Sequence, residues 1–477
     1  MHNTISSSLK LIIRPKKFNH QNVGEKMYSI GLDIGTTSVC GILHSIENGD
    51  IVKSITLAND AFIHTQNKWE KIQDPKRLIE ILQDILDTLM SENLPVKSIG
   101  ITGQMHGIVY LDKSGTPLSE LKIWQDARGN LEYKDGYTYA EYITAKTGYP
   151  VATGYGAVTY FYDKINGLVP KNAAGFCTIH DLAAMTLCNR PQPLVHPSNA
   201  ASFGLYDIKN NHFDKKATEL LGLDFSLFPS VSKGIEKLGE YKGIPVAVAI
   251  GDNQASFLGS VRDMENSVLV NVGTGSQISQ LAYSVPENKV LDCRPLLDDS
   301  YIIAGSALAG GRAYAMLEQL FLEIAEKVTG QRPKSAYPAM DKLMENTSDI
   351  ISPLKIDTCF CGMRSNPQKR GSISNISNDN FTMAHLCDGV MCGMVNELYE
   401  TYKDIQSSSS ITPKAMVGSG NAIRNNPPLK QRFEKTFRLA LSVPVNKEEA
   451  AFGASLYSLC TAGVFDDISK AQKLIKY

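Results

Sequence analysis

The chain has 477 residues, of which 43% are hydrophobic and 20% charged, and its 48 Lys and Arg are balanced by 49 Asp and Glu. This length predicts two or more domains, and the balanced charge argues against nucleic-acid binding as the main function. No apolar run approaches the about 18 residues that a membrane span needs. Nine scattered cysteines without a Cys-x-x-Cys pair favour free thiols in a reducing cytoplasm over a structural metal site.

The first 26 residues are basic, with Glu25 as the one acid. We predict a disordered extension at 1–26; a transit peptide and a true start at Met27 are the alternatives. From Tyr28 onward, a strand to Asp33, a turn and a second strand from Val39 predict a β-hairpin.

The tip of this hairpin reads Gly35-Thr36-Thr37-Ser38. Glycine lets backbone N–H groups approach an anion closely, and the hydroxyls of Thr36 and Thr37 add donors. Asp33 is placed to hold a metal ion through water. The alternative is an ordinary hairpin with polar turn residues.

Two polar stretches follow an amphipathic helix at 74–89 and a strand at 97–102. The first contains Gln104, Met105 and His106 between two glycines, and the second is Trp124-Gln-Asp126-Ala-Arg128. An aromatic surface beside hydrogen-bonding groups suits a sugar. The alternatives are a structural histidine and a buried tryptophan beside a surface ion pair.

Two further polar clusters lie at Thr178–Asp181 and Ser198–Ser202. Each is compatible with loop chemistry or with helix capping. Asp181 precedes an apolar run at 182–187, which indicates that it is the N-cap of a helix.

The stretch from Pro245 to Ser256 lies near the middle of the chain. Val246–Gly251 is predicted to be a short buried strand, with Asp252 at its carboxyl end and Asn253 beside it. Ligands of open α/β sheets bind at the carboxyl ends of strands, and a carboxylate there is costly unless it is used. We therefore predict that Asp252 is a general base and that the two halves of the chain close around it.

The second half repeats the opening pattern. Strands at 267–272 and 277–281 flank Gly273-Thr274-Gly275-Ser276, which indicates an ancestral duplication and a second phosphate loop. A glycine-rich segment that includes Gly310 then precedes a helix, and helix starts favour anions. That helix is predicted to bury one face, formed by Met316, Leu317, Leu320, Phe321 and Ile324.

A strand at 415–417 leads into Gly418-Ser-Gly420-Asn421, with Asn425 shortly after. Gly-x-Gly at a strand end lets a flat ring or a ribose lie against the backbone, although the motif alone is weak. A small-residue helix at 448–458 is expected to pack closely on a neighbour. Walker, dinucleotide-fold and protein-kinase signatures are absent from the sequence.

Taken together, these motifs resemble those of the FGGY carbohydrate kinases, over about residues 28–464. Gly31-Leu-Asp33-Ile-Gly35-Thr-Thr looks like the first phosphate loop of that family, Asn271-Val-Gly-Thr-Gly275 the second, Gly251-Asp-Asn253 the catalytic loop and Gly418–Asn421 the adenosine loop. The resemblance implies an α/β fold of two duplicated ribonuclease-H-like (actin–hexokinase) domains with a central cleft. We expect an N-terminal domain at 27–255 and a nucleotide-binding C-terminal domain at 256–477.

The resemblance also implies a reaction, in which ATP with Mg²⁺ phosphorylates the terminal primary hydroxyl of a ketose. Sedoheptulose is the expected sugar because of the segments at 178–181, 193–203 and 417–422; a pentulose such as xylulose is the alternative. A non-catalytic sugar or nucleotide sensor is the alternative of another class. The implied site residues are Asp252 as base, Asp33 for the metal, Gln104, Met105, His106, Trp124, Asp126 and Asn253 for the sugar, and Thr36, Thr37, Gly273, Thr274, Gly275, Gly310, Gly418, Gly420, Asn421 and Asn425 for the nucleotide. No nucleic acid or membrane partner is expected, and the oligomeric state stays open, with a homodimer as one option.

Overall fold

A computed structural model describes residues 26–287, 291–345, 350, 352–363, 366 and 368–477. Apart from Lys26, the predicted extension lies outside the described residues. The chain divides into two compact units. The first contains the chain up to Arg262 together with Pro295–Asp299 and Asn446–Lys476, and the second contains Asp263–Arg294 and Ser300–Val445.

The strands are short, and most of those outside the two main sheets have two or three residues. Up to residue 251 they are β1 Tyr28–Ile34, β2 Ser38–Ser45, β3 Ile51–Ala58, β4 Phe62–Ile63, β5 Ile72–Gln73, β6 Val96–Gly103, β7 Val109–Leu111, β8 Leu121–Lys122, β9 Glu132–Lys134, β10 Tyr137–Thr138, β11 Gly175–Cys177, β12 Leu194–Val195, β13 Tyr206–Asp207, β14 His212–Phe213, β15 Ser230–Val231, β16 Lys237–Tyr241, β17 Ile244–Ala247 and β18 Ile250–Gly251. From residue 267 on they are β19 Ser267–Val272, β20 Ser276–Ala282, β21 Asp292–Pro295, β22 Tyr301–Ala307, β23 Lys355–Asp357, β24 Ser372–Ser374, β25 Ala415–Ser419 and β26 Leu441–Ser442.

The helices vary from five to 26 residues. They are α1 Pro75–Met90, α2 Tyr139–Thr147, α3 Gly156–Ile165, α4 Ile179–Leu187, α5 Pro197–Phe203, α6 Lys215–Leu220, α7 Asp252–Ser260, α8 Gly310–Thr329, α9 Tyr337–Met344, α10 Met383–Ser408, α11 Asn421–Asn425, α12 Pro427–Phe437, α13 Glu449–Thr461 and α14 Ile468–Gln472. Within the described part of the chain, none of them is both long enough and apolar enough to cross a lipid bilayer.

The main sheet of the first unit has the order β16-β17-β6-β1-β2-β3, and β18 also pairs with β6. β1 is antiparallel to β2, β2 is antiparallel to β3, and β6 is parallel to β1, β17 and β18. The predicted first hairpin and the strand that follows the amphipathic helix are therefore confirmed. The strand predicted at 246–251 is interrupted, because β17 ends at Ala247 and β18 begins at Ile250.

The main sheet of the second unit has the order β21-β22-β20-β19-β25-β26. Here β19 is antiparallel to β20, β20 to β22, and β25 is parallel to both β19 and β26. Strand directions thus follow the same pattern in both sheets: hairpin, third antiparallel strand, then parallel strands on the other side. This shared pairing supports the predicted duplication.

Helix α13 explains why the end of the chain belongs to the first unit. It packs against β1, β6 and α7 through small residues. A Cβ added to Gly31 would lie 1.9 Å from Ala451 O, and one added to Gly100 would lie 1.9 Å from Ala454 O. The predicted close packing of this helix is confirmed. The units consequently do not coincide with 27–255 and 256–477.

The apolar face predicted for α8 is buried only in part. Leu317 and Phe321 are buried together with Tyr314, whereas Met316, Leu320 and Ile324 are 48%, 45% and 51% exposed. The sequence offers two overlapping apolar stripes on this helix, and periodicity does not choose between them.

The prediction for the N-cap of α4 is wrong, because the N-cap is Thr178 rather than Asp181. Asp181 is the third helical residue and completes a capping box with Thr178. The helix begins three residues earlier than the apolar run because the box satisfies its first N–H groups.

Candidate active site

Asp252 is the first residue of α7, directly after β18. A carboxylate is stabilised at this position by the helix dipole. Asn253 Nδ2 donates to Asp252 Oδ1 over 3.0 Å and lies 3.5 Å from Met105 Sδ. Met105 is packed against the backbone before Asp252, since a Cβ added to Gly251 would lie 2.6 Å from its sulfur. The structure thus brings Asp252, Asn253 and Met105 together. All three are residues that the sequence analysis assigns to one site.

Gln104 and Trp124 are joined through the first hairpin. Trp124 Nε1 donates to Thr36 Oγ1 over 3.0 Å, and that hydroxyl donates to Gln104 Oε1 over 3.2 Å. Gln104 Nε2 in turn donates to Gln73 Oε1 over 2.8 Å. Trp124 is 46% exposed, so the alternative of a buried tryptophan is wrong.

His106 has a positive φ of 73°, which fixes its side chain in an unusual direction. Its backbone N–H donates to Ser202 Oγ over 3.2 Å, and Nδ1 lies 2.8 Å from Ser202 O. Because a carbonyl oxygen only accepts, Nδ1 carries a proton. The ring is stacked on Tyr155, with 4.5 Å between centroids.

Asp126 is fully buried, and it is held in an ion pair with Arg128. Its Oδ1 accepts from Arg128 Nε over 2.7 Å, and its Oδ2 accepts from the Lys71 backbone N–H over 2.9 Å. Arg128 Nη1 also donates to Asp163 Oδ1 over 2.7 Å. The ion pair beside Trp124 is therefore buried rather than superficial, and both oxygens of Asp126 are engaged within the protein.

Asp33, near the end of β1, is half-buried. Burial, followed by the charges of Asp252 and Glu448, raises the pKa of Asp33 to about 7. Such a shift marks a carboxylate whose ionised form a cation would stabilise. Among the described residues, no group of three or more His, Cys, Asp and Glu is close enough to hold a metal ion directly. The half-buried carboxylate of Asp33, beside the charges of Asp252 and Glu448, fits a nearby cation.

Glu448 is the acidic neighbour that the sequence reasoning missed. It is the N-cap of α13, about 400 positions beyond Asp33 in the chain, and its charge acts on Asp33. No local motif announces it. Only the packing of α13 against β1 brings it there.

The first phosphate loop is held by side-chain amides. Asn59 Nδ2 donates to Gly35 O over 3.1 Å and to Thr36 O over 2.9 Å. Gln73 Nε2 also donates to Thr36 O, over 3.0 Å. Thr37 at the tip is exposed. The carbonyls of the loop therefore point to protein groups, and the Thr37 side chain lies at the surface.

The second phosphate loop is held by the backbone of α8. Gly311 N–H donates to Gly273 O and Arg312 N–H to Thr274 O, each over 3.0 Å. Thr274 and Gly275 are exposed. These first amides of α8 are thus used by the loop, so they do not form the separate anion site that the sequence suggested.

Gly310 and Gly311 allow this close approach. Gly310 has a φ of 39°, and its added Cβ would lie 2.3 Å from Gly275 C. At Gly311 the added Cβ would lie 2.4 Å from Gly273 O. Both positions therefore require glycine.

The predicted adenosine loop follows β25, next to the second hairpin. Asn271 Nδ2 donates to Ser419 Oγ over 2.8 Å, which ties the two strand ends together. Gly420 has a φ of 86°, and its added Cβ would lie 2.5 Å from Val272 O. Asn421 and Asn425, the first and last residues of α11, are exposed. Gly418 is buried within β25. Because β19 and β25 are parallel, their carboxyl ends gather these residues at one edge of the second sheet.

Comparisons with known proteins identify the family of the chain. The N-terminal domain of the FGGY family of carbohydrate kinases matches residues 28–268. A sedoheptulokinase from Mus musculus is 28% identical, over 90% of this chain and 97% of its own.

Two solved structures confirm the predicted two-domain fold class. A xylulose kinase from Rhodospirillum rubrum has a TM-score of 0.80 at 18% identity, covering 94% of this chain and 93% of that one. A glycerol kinase from Plasmodium falciparum, solved with ADP, has a TM-score of 0.79 at 19% identity, covering 95% and 93%. The chain therefore belongs to the FGGY family of carbohydrate kinases.

Proposed function

We propose that this carbohydrate kinase transfers the γ-phosphoryl group of ATP to the terminal primary hydroxyl of sedoheptulose. The observation that carries the proposal is the position of Asp252 at the start of α7, bonded to Asn253 and backed by Met105. The sedoheptulokinase relative supports the choice of sugar, because the similarity extends over nearly all of both chains. The xylulose kinase fold keeps a pentulose as the second choice.

Asp252 accepts the proton of the attacking hydroxyl in this proposal. Phosphoryl transfer requires mainly positioning and charge neutralisation, and a general base contributes roughly 10²–10⁴-fold. Trp124 offers an exposed ring face to the sugar, and His106 and Asn253 offer polar atoms. Gln104 acts beneath them, since it is 4% exposed. Asp126 supports the loop of Trp124 through Arg128 instead of contacting the sugar.

For the nucleotide, we propose that the exposed backbone of Gly273–Gly275 and the hydroxyls of Thr37 and Thr274 bind phosphates. Gly418, Gly420, Asn421 and Asn425 border the adenosine, with Gly310 supporting the loop. Thr36 belongs to both sets, because it links Trp124 to Gln104. Mg²⁺ neutralises phosphate charge when it is bound, and Asp33 holds its water shell in this proposal.

A kinetic comparison of substrates tests the proposal. ADP release is measured with sedoheptulose, D-xylulose, D-ribulose and glycerol, and the product is located by NMR. We expect the highest kcat/KM for sedoheptulose, with the phosphate on the terminal carbon. A higher kcat/KM for D-xylulose would transfer the assignment to a pentulose kinase. ADP release with none of the sugars would favour the sensor.

The substitution Asp252→Asn tests the role of the base. We expect kcat to fall by roughly 10²–10⁴-fold, while ADP affinity by calorimetry stays within a factor of two. Asp87→Asn, at a solvent-exposed carboxylate on α1, is the matched control. Activity near the wild-type level in the Asp252 variant would remove this residue from the mechanism.

A further inference from the structure

Helix α5, Pro197–Phe203, makes hydrogen bonds to two separate parts of the candidate sugar site. One set reaches the strand that leads into Asp252, and the other reaches His106. The helix has seven residues, and Ser198, Asn199 and Ser202 are all buried. Polar side chains that are buried and bonded in this way fix the geometry of what they contact.

Two side chains of α5 hydrogen-bond to the backbone before Asp252. The sheet is interrupted at Val248 and Ala249, between β17 and β18. Asn199 Nδ2 donates to Ala249 O over 3.0 Å, and Gly251 N–H donates to Ser198 Oγ over 3.0 Å. Two bonds from α5 thus hold the residues immediately before Asp252.

Asn199 is itself held from two further sides. Its Nδ2 also donates to Asp181 Oδ1 over 2.9 Å, and its Oδ1 lies 2.9 Å from His180 Nε2. Asp181 is anchored by the hydroxyl of Thr178 over 2.7 Å. The capping box of α4 therefore fixes the amide that holds Ala249 O.

The other end of α5 holds the histidine loop. Ser202 accepts the His106 N–H through Oγ and the Nδ1 proton through its carbonyl. Ser202 Oγ also donates to Asn199 O over 2.7 Å, so its hydroxyl cannot rotate freely. These bonds maintain the positive φ of His106.

We propose that α5 is a positioning element, in which Ser198 and Asn199 orient Asp252 and Ser202 orients His106. This inference rests on the proposed function, since it takes Asp252 as the base. A misplacement of a catalytic group by about 1 Å can cost on the order of 10²-fold in rate. Ser198 and Asn199 therefore act on kcat, whereas Ser202 acts on the KM of the ketose.

The first experiment is the split between kcat and KM. We expect Ser198→Ala to lower kcat about tenfold with the ketose KM unchanged, and Ser198→Thr, which keeps the hydroxyl, to restore most of it. Ser202→Ala is expected to raise the ketose KM about fivefold with kcat unchanged. The split follows from the roles, because a loss of positioning at the base acts on the chemical step and a loss at His106 acts on ketose binding. Ser232→Ala, at a buried serine whose hydroxyl has no hydrogen-bond partner, is the matched control.

The second experiment is a double-mutant cycle with Asp252→Asn, measured on variants that retain the wild-type thermal midpoint within a few degrees. If Ser198 acts through Asp252, Ser198→Ala lowers kcat in the wild type but not in the Asp252→Asn background. The positioning role is overturned if the losses of kcat in the two single variants add in the double variant. It is also overturned if Ser198→Ala keeps the wild-type kcat while Asp252→Asn is inactive, and in both cases the role of Asp252 as base stands. An active Asp252→Asn enzyme would overturn the proposed base instead.

Discussion

The two phosphate hairpins differ in charge although their strands are paired in the same way. Asp33 of the first corresponds to Asn271 of the second, and each lies on the strand that has a parallel neighbour. Asp33 shares its surroundings with the charges of Asp252 and Glu448, whereas Asn271 donates its amide to Ser419. The first hairpin therefore offers a carboxylate to a cation, whereas the second offers a neutral amide.

The hairpins also differ in what holds their loops. Asn59 and Gln73 bind the carbonyls of the first loop through side-chain amides, and Gly311 and Arg312 bind those of the second through backbone amides. A side chain can be removed without moving the backbone, but a backbone donor is lost only when the chain shifts. The duplicated strands thus stayed alike while the charge and the support of the loops diverged.

The largest expected effect comes from the charge difference. Asp33→Asn gives the first hairpin the same side chain that the second has at Asn271. We expect the Mg²⁺ concentration for half-maximal activity to rise roughly 10–100-fold, which is the usual loss when a residue that supports a metal indirectly is replaced. Asn271→Ala is expected to leave that concentration unchanged. Magnesium titrations of both variants check this, with Asp60→Asn, at an exposed carboxylate, as the control. Equal shifts in the Asp33 and Asn271 variants would contradict the assignment.

A comparable effect is expected from the support of the second loop. Gly311→Ala places a Cβ 2.4 Å from Gly273 O, so the loop must move. Overpacking of this kind costs about 1–3 kcal/mol, and a loss of that size in phosphate binding by the loop would raise the KM of ATP about 5–150-fold. The ketose KM should not change.

Gly175→Ala is the matched control for this substitution, because its added Cβ meets no atom closer than 3.6 Å. Steady-state kinetics with each substrate varied in turn make the comparison. A rise confined to the ketose KM would remove the second loop from the nucleotide site.

Local patterns were sufficient to predict both hairpins, because turn glycines and alternating strands are encoded within a few residues. They also placed Asp252 correctly at a strand end. The helix that Asp252 begins was not predicted, since α7 carries a weakly periodic sequence, Asp-Asn-Gln-Ala-Ser-Phe-Leu-Gly-Ser.

Long-range features escaped the sequence for a physical reason. Asn59, Gln73 and Glu448 act on loops that are distant in the chain, and nothing in their own neighbourhood reports this. Asp126 was assigned to the sugar because it lies near Trp124 in the sequence, yet the buried ion pair and a backbone N–H engage both of its oxygens. Only tertiary packing separates a carboxylate that binds ligand from one that supports a loop.

The support of the first loop leads to a prediction about stability. Asn59→Ala removes the hydrogen bonds that Asn59 donates to the carbonyls of Gly35 and Thr36. Asn59 is buried, with 8% of its surface exposed. We expect the free energy of unfolding to fall by about 1–3 kcal/mol. Urea titration measures it, with exposed Asn130→Ala as the control. An unchanged urea midpoint would show that water replaces the amide at no cost.

The smallest expected effect concerns the ends of the two hairpins that lie away from their loops. There β2 has the buried His44, whereas β20 has Ala282. Burial lowers the pKa of His44 to about 4. At pH values between about 4 and the usual histidine pKa of about 6.5, His44 carries a proton in the unfolded chain but not in the folded chain. The stabilising contribution is therefore present above pH 6.5 and is lost as the pH falls toward 4.

This linkage fixes the slope of stability against pH. One such proton contributes at most about 1.4 kcal/mol per pH unit. His44→Gln should reduce the slope of unfolding free energy between pH 6.5 and 4 by up to this amount, whereas Asn130→Ala, at an exposed residue without a titratable side chain, should leave the slope unchanged. Because the comparison uses slopes, any constant loss of packing in the His44 variant cancels. An identical slope in both variants would mean that His44 takes up its proton in the folded state, and the contrast between the two hairpins would then be limited to their loops.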